Sequence, residues 1–193
     1  MKKLLLLLLP AMLLMGCNTK SEDSSSSSNS ESSSTTSEEP GDSSLEGQTL
    51  KVDYTNDGGA NIPTEWNDED TSETARKATY QVDGKDFSIE FVGKWYLSTS
   101  KQEYQTKKDP VSYIRPASNY IVKKVVIEVF KADIGVFTTV DHTGEKVTGT
   151  EAVKEHGDGT ATEYTLNTHK WSFLAEETYK GSSINIYSLT FYF

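Results

Sequence analysis

The sequence predicts an all-β domain, an antiparallel β-sandwich, in residues 76–193. Short apolar–polar alternations recur there, turn-forming residues separate them at fairly regular spacing, and no segment keeps a helical period of about 3.6 residues for three turns. About 118 residues are enough for two sheets that share one core.

The region before this domain gives a weaker pattern. Leu50, Val52 and Tyr54 alternate and predict one edge strand within an otherwise weakly structured segment, residues 50–75. Inside the domain, residues 98–107 have few apolar positions, which predicts a loop or one short turn.

A hairpin opens the domain. Residues 78–82 and 87–91 alternate on either side of Asp83 and Gly84, and this dipeptide is typical of a two-residue hairpin turn. The strongest predicted strand is 121–130, in which apolar residues follow one another almost without a break.

The remaining strands follow at short intervals. In the last one the apolar parity switches between Ile186 and Tyr187, which predicts a β-bulge or a twist there. The predicted segments are 136–140, 162–166, 171–173 and 184–193.

The charge of the chain excludes a class of partners. The formal net charge is −10, and it becomes −12 once Lys2 and Lys3 leave with the predicted signal peptide. Residues 51–193 carry 22 acidic against 16 basic residues. Because nucleic-acid binding needs Lys and Arg to displace counterions from phosphates, we expect no nucleic-acid partner.

The N-terminal segment is typical of an export signal. Lys2 and Lys3 precede an apolar run, which is too short to span a hydrocarbon core that needs about 20 apolar residues. Directly after it, the residues Leu14-Met15-Gly16-Cys17 resemble the lipobox of bacterial lipoproteins.

That resemblance implies three properties. Diacylglycerol is attached to Cys17, the signal peptide is cut after Gly16, and the protein is held by lipid on the extracytoplasmic face of the cell membrane. Cys17 is the only cysteine of the chain, so an intrachain disulfide is excluded. Apart from the covalent lipid, the sequence predicts no cofactor and no metal.

A serine-rich and acidic linker follows the cysteine. Residues 21–44 contain no aliphatic or aromatic side chain, so they cannot offset their ordering entropy by burial. A flexible coil of some thirty residues spans about 30 Å on average. Tethers of this kind resemble those of Gram-positive lipoproteins, and this one is expected to lift the domain off the bilayer.

The C-terminal hundred residues resemble carbohydrate-binding modules of the jelly-roll type in their strand rhythm. A long strand, a turn, short paired strands and a final aromatic-rich strand carry this resemblance. It implies a jelly-roll-like sandwich. The predicted organisation is signal peptide 1–16, lipidated residue 17, disordered linker 18–49, weakly structured segment or edge strand 50–75, and β-sandwich domain 76–193.

Aromatic residues near loops are the candidate ligand contacts, because flat rings stack on sugar faces or anchor a protein partner. For Trp95 and Trp171 a place in the core is the favoured interpretation. Arg115 is a candidate clamp for a carboxylate or sugar hydroxyls, and an ordinary surface pair is its favoured interpretation. The candidates are Trp66, Trp95, Tyr96, Tyr113, Arg115 and Tyr120.

Histidines offer a second chemistry. His142 and His156 stand beside acids in polar turns, as a general base would, but no hydrolase motif accompanies them. We interpret them, with His169, as solvated loop residues, and we predict no catalytic residue.

A partial EF-hand pattern begins at Asp53. Its third position is Thr55, and its twelfth is Thr64 rather than an acid, so the bidentate calcium ligand is missing. We interpret this segment as a turn.

The sequence thus predicts a lipid-anchored surface protein whose non-enzymatic β-sandwich binds a glycan, a cell-wall component or a protein. A cell-wall-directed hydrolase with an unrecognised site is one alternative. A structural envelope or assembly factor is another.

Overall fold

The computed structural model describes residues 39–55, 75–93, 95–98, 103–106, 112–131, 137–141, 143–175 and 184–193. The chain divides into two compact units, 1–38 and 39–193. The first unit, with the predicted signal peptide, Cys17 and most of the predicted linker, lies outside the described residues.

The described residues form thirteen strands and no helix. Their bounds are β1 Thr49–Asp53, β2 Arg76–Val82, β3 Lys85–Val92, β4 Trp95–Ser98, β5 Glu103–Thr106, β6 Tyr113–Pro116, β7 Val122–Phe130, β8 Phe137–Val140, β9 Lys146–Val147, β10 Thr150–Ala152, β11 Gly159–Thr168, β12 Ser172–Ala175 and β13 Ile184–Tyr192.

The strands form two antiparallel sheets that pack face to face, which confirms the predicted β-sandwich. The first sheet has the order β10-β11-β7-β13-β5-β4, and the second has the order β2-β3-β6-β12-β8-β9. β1 also belongs to the first sheet, where β1 and β5 share one edge of β13. Residues 184–186 of β13 pair with β5, and residues 188–192 pair with β1.

Aromatic rings from both sheets form the centre of the core. Phe87 of the second sheet makes edge contacts with Phe191 and Phe193, with ring centroids 5.1 and 4.9 Å apart. Tyr164 of the first sheet meets Phe173 of the second at 5.2 Å. Such pairs add about 0.5–1.5 kcal/mol each beyond the apolar area that they bury.

Local sequence signals account for the hairpin and for the bulge. Asp83 and Gly84 both adopt positive φ, 49° and 72°, as the two-residue turn between β2 and β3 requires. The register between β13 and β7 shifts between Ile186 and Ser188. Both predictions are confirmed, as are the strands predicted at 121–130 and 162–166.

One local prediction was wrong. Residues predicted as a loop at 98–107 contribute to β4 and β5, because β5 finds a partner in β13 that is distant in sequence. The strand predicted at 136–140 is confirmed as β8, in which Phe137 and Thr139 are buried and Phe173 of β12 pairs with Thr139.

The compact unit also includes residues 39–49, which composition assigned to the linker. Leu45 is 1% exposed. The backbone N–H of Gly47 donates a hydrogen bond to the carbonyl of Phe193, and the N–H of Phe193 donates one to the carbonyl of Gln48. Residues 39–49 are ordered by the end of β13, a partner that local composition does not reveal.

Candidate functional site

The outer face of the second sheet holds two of the predicted ligand contacts. Tyr113 and Arg115 lie two residues apart in β6 and therefore point to the same side. Ile114 between them is 1% exposed and points into the core, so Tyr113 and Arg115 face outward.

A row of half-buried side chains runs across four strands at this face. Tyr113 pairs with Val92 on one side and with Leu174 on the other, and Leu174 pairs in turn with Thr138. All four are half-buried. Because neighbouring strands are about 4.8 Å apart, this Tyr113 row is about 14 Å long.

A charged pair borders the row. Nε and Nη2 of Arg115 both lie 2.7 Å from Oε2 of Glu90, its cross-strand partner on β3. The guanidinium carbon is 5.8 Å from the centroid of the Tyr113 ring. The hydrogen bond that Arg115 donates to Glu90 raises the pKa of Arg115 above its ordinary value. An exposed pair of this kind contributes about 0–1 kcal/mol to stability.

Trp95 and Tyr120, two of the other predicted contacts, are not brought to this row. Trp95 is 1% exposed, and its indole N–H donates to the carbonyl of Val92 at 2.9 Å, so its ring belongs to the core and cannot stack on a ligand. Tyr120 packs against the core beside its bridge to Asp42. Tyr96 lies in β4, paired with Gln105, and Trp66 lies outside the described residues.

A second group of functional side chains surrounds a buried acid on the first sheet. Glu128 lies in the middle of β7 and is 2% exposed. Its Oε1 accepts the backbone N–H of Glu155 at 3.1 Å and that of His156 at 2.7 Å. The turn passes directly into Gly159, the first residue of β11, where a Cβ would be 2.5 Å from the same oxygen. Glu128 therefore holds this turn against the outer face.

His156 connects this acid to the end of β1. Its Nδ1 lies 3.0 Å from Oε2 of Glu128, although the direction is not that of a hydrogen bond. Its Nε2 lies 2.9 Å from Oγ1 of Thr55, and that hydroxyl donates to Asp53 at 2.6 Å. Burial acts to raise the pKa of Asp53, but the hydrogen bonds from Thr55 and the charge of Lys51 outweigh it and lower the pKa.

Further pairs surround the imidazole. Lys51 forms an ion pair with Glu155. The hydrogen bond that Lys51 donates to this carboxylate raises the pKa of Lys51. The Tyr187 ring lies 4.7 Å from that of His156, and its hydroxyl donates to Asp158 at 3.0 Å. His156 is thus part of a network rather than a solvated loop residue, which corrects the interpretation from sequence.

The cluster of Glu128, His156 and Thr55 was not predicted from the sequence because its members are distant along the chain. The acids next to His156 in sequence suggested local partners, but Glu128 and Thr55 contact the imidazole. One signal was present. Glu128 is the only acid within the apolar run 125–130, where a charge is costly unless it is paired.

Of the other two histidines, the structure describes His169. His169 is half-buried, and its ring lies beside Gly41. His142 lies outside the described residues. Within the described ranges, no three His, Cys, Asp or Glu side chains are grouped so that they could hold a metal ion.

No family model, no curated protein and no solved structure matches this chain. In the part of the chain that the structure describes, no helix is long and apolar enough to cross a membrane.

Proposed function

We propose that this chain is a lipid-anchored surface protein on the extracytoplasmic face of the cell membrane, with a non-enzymatic β-sandwich that binds a glycan, a cell-wall component or a protein. The observation that carries the binding role is the Tyr113 row, an aromatic and aliphatic strip on the outer face of the second sheet. Apolar side chains that face outward from a sheet are candidates for contacts with a ligand.

The anchoring half of the proposal rests on the sequence. An apolar export segment, a small residue and the sole cysteine of the chain coincide at Leu14-Met15-Gly16-Cys17. Two acyl chains give stable membrane attachment, whereas one gives only reversible binding.

The anchor is tested by expressing the full chain and its Cys17→Ala variant in a bacterial host fed radiolabelled palmitate. We expect label and membrane retention for the parent chain and neither for Cys17→Ala. Label in both proteins, or in neither, would reject the anchor.

Binding is tested with the mature chain made soluble by Cys17→Ala, mixed with sedimented wall fragments and surface proteins of Gram-positive cells. We expect retention that Tyr113→Ala abolishes. Tyr192→Ala is the matched control, because Tyr192 is also half-buried but belongs to the first sheet. Equal losses in both variants would reject the Tyr113 row as the binding surface.

A wall-directed hydrolase is a second candidate function, favoured by the sequence of contacts from Glu128 through His156 to Thr55. A hydroxyl beside an imidazole that is itself placed by a carboxylate is the arrangement of an activated nucleophile. The Thr55 hydroxyl, however, already donates to Asp53 at 2.6 Å, which opposes proton transfer to His156.

Turnover of purified peptidoglycan tests this candidate. The hydrolase requires soluble fragments from the parent chain and none from His156→Ala. Release that survives both His156→Ala and His142→Ala, or no release at all, excludes it.

A further inference from the structure

We infer that β2 is a self-association edge, along which two copies of this chain pair their second sheets into one continuous antiparallel sheet. This inference goes beyond the proposed binding function, because its partner is a second copy of the protein. It depends on which backbone groups of β2 point outward, on the length of this edge, and on the fit of the edge to its own copy.

The hairpin of β2 and β3 determines which backbone groups of β2 point away from the sheet. Val82 and Lys85 flank the two-residue turn, so they form a pair that exchanges both of its N–H···O bonds. Such pairs alternate with pairs that exchange none. The N–H and C=O groups of three residues therefore point away from β3, namely those of Lys77, Thr79 and Gln81.

The cross-strand partner of Thr79 gives independent evidence for this assignment. The N–H of Ser88 donates to Oγ of Ser118 at 3.3 Å, and its carbonyl accepts from the N–H of Ala117 at 2.8 Å. Both contacts lie on the side of β6, so the backbone of Ser88 is not bonded to that of Thr79. In the described part of the chain, β2 pairs only with β3.

This edge is long and regular. β2 has seven residues, whereas the other described strands with one pairing partner, β1, β4, β9 and β10, have two to five. Its register with β3 runs from Arg76 to Val82 without a bulge, and it contains no proline. Short strands, bulges and prolines are the common protections of a sheet end against pairing with another chain. β2 has none of these three.

A second copy fits this edge when the two β2 strands are antiparallel and centred on Thr79. A two-fold axis perpendicular to the sheet then places Thr79 opposite Thr79 of the second copy and Lys77 opposite Gln81. All outward backbone groups are thereby paired, in three pairs that exchange two hydrogen bonds each. Centring on Lys77 would oppose two ammonium groups, and centring on Gln81 would place Thr79 opposite Asp83 in the turn.

The side chains on both faces of β2 are compatible with this register. On the inner face, Ala78 lies opposite Tyr80 of the second copy, a small side chain beside a large one. On the outer face, Lys77 lies opposite Gln81 of the second copy, whose side-chain amide donates to Asp86. An edge lysine normally opposes pairing, but here its ammonium comes within reach of an acid, and the two-fold axis repeats the contact.

The pairing closes at two copies and is favoured at a membrane surface. Because each copy contributes the same edge, no β2 edge is left for a third copy. A single strand edge buries less than the roughly 1,000 Å² of a stable interface, so we expect a dissociation constant of about 0.1 mM in solution. The lipid anchor proposed above would hold copies at one surface and raise their effective concentration.

Sedimentation velocity of the mature chain, made soluble by Cys17→Ala, measures the association at up to about 1 mM. We expect a reversible monomer–dimer equilibrium. Gln81→Lys opposes two pairs of ammonium groups in each dimer and should weaken it about tenfold. Thr150→Lys is the matched control, because Thr150 is also an exposed residue of a strand at a sheet end, on the first sheet. It should leave the dimer unchanged.

A proline variant tests the backbone contact. Thr79→Pro removes the N–H at the centre of the dimer, and a strand edge tolerates proline where that N–H has no partner within the sheet. We expect it to weaken the dimer at least thirtyfold while thermal unfolding of the monomer stays cooperative. Gln81→Lys keeps the inference testable if Thr79→Pro does not fold.

Single cysteines test the register, because Cys17→Ala removes the only natural one. Opposed residues of a hydrogen-bonded pair have Cα atoms about 5.5 Å apart, within the range of a disulfide. When Lys77→Cys and Gln81→Cys chains are mixed under mild oxidation, the mixed disulfide should therefore predominate. Residue 77 of one copy lies about 14 Å from residue 77 of the other, so homodisulfides should be rare.

Several results would overturn the inference. They are a monomer at about 1 mM, a dimer that Gln81→Lys leaves intact, an equal loss from Thr150→Lys, and homodisulfides as abundant as the mixed disulfide. The retention of wall fragments through Tyr113 is measured separately. Failure of self-association therefore leaves the proposed binding function standing, and failure of retention leaves the β2 edge standing.

Discussion

The two outer faces of the sandwich are built on the same strand alternation but differ in what their side chains do. On the first sheet, Lys124 forms an ion pair with Glu163 at 2.8 Å and lies 4.3 Å from the Tyr192 ring. The turn around His156 covers the same face above Glu128. On the second sheet, Val92, Tyr113 and Leu174 form an apolar row beside one exposed ion pair.

This difference shows that an outward position has no fixed role. Tyr192 and Tyr113 are both half-buried tyrosines on outer faces. A cation lies directly over the first ring, whereas the guanidinium nearest the second is 5.8 Å from its centroid and held by Glu90. The first ring therefore stabilises the fold itself, whereas the row around the second ring is the basis of the proposed binding role.

The largest expected effect comes from the acid beneath the first face. Glu128→Ala leaves the N–H groups of Glu155 and His156 without their acceptor, and breaking a buried charged contact costs about 3 kcal/mol. Glu128→Gln keeps a carbonyl acceptor and should lose about half as much. Urea denaturation measures both changes.

Glu163→Ala on the neighbouring strand β11 is the control for this loss. Its partner Lys124 is half-buried and stays solvated, so the cost should be about 1 kcal/mol or less. Equal losses for Glu128→Ala and Glu163→Ala would contradict the role given to Glu128.

A smaller change in stability is expected when the pH is lowered. The pKa of Asp53 in the folded state is below its ordinary value of 3.8, so this group stabilises the fold above that pH and loses its contribution as the pH falls through the lowered pKa. The stability of Asp53→Asn should therefore fall less between pH 5 and pH 2 than that of the parent chain. Parallel stability curves in urea would contradict this.

The two tyrosines distinguish the faces by stability alone. Tyr192→Ala removes a ring that a lysine covers and should cost about 1 kcal/mol. Tyr113→Ala should cost about 0.5 kcal/mol, because most surface substitutions fall in that range. Thermal unfolding of both variants at one protein concentration checks the order, and a larger cost for Tyr113→Ala would reverse the comparison.

The smallest effect is expected at the edge of the second face. Arg115→Gln breaks an exposed ion pair with Glu90 and should change stability by less than about 0.5 kcal/mol. The same denaturation experiment tests it. A loss above about 1 kcal/mol would mean that the pair holds the sheet rather than serving a ligand.

Much of the fold could be predicted from sequence where the residues of a strand and its adjoining turn show a clear pattern by themselves. The alternation before and after Asp83-Gly84 defined a hairpin, and the parity switch at Ile186 and Tyr187 defined a bulge. The prediction of a loop at 98–107 failed because β5 pairs with β13, which lies about eighty residues later in the chain. Pairing with a distant strand can impose β-structure on residues with little propensity of their own.

The candidate sites divide in the same way. Tyr113 and Arg115 were recognised because aromatic rings near loops are candidate ligand contacts and Arg115 is one of only two arginines in the sequence. Leu174 and Val92, which complete the row, were not, since only the register of β6 with β12 and β3 brings them together. The partners of His156 were missed for the same reason.

By itself, the sequence determined what depends on neighbours along the chain. The strand periods and the hairpin are confirmed by the structure, and the export segment ending at Gly16 stays a prediction. Tertiary structure alone decided which strands meet, and hence that Tyr113 lies in a half-buried outward row while Glu128 lies beneath a turn. The physical reason is that side-chain alternation specifies two faces for each strand, but strand pairing and sheet packing specify what lies on them.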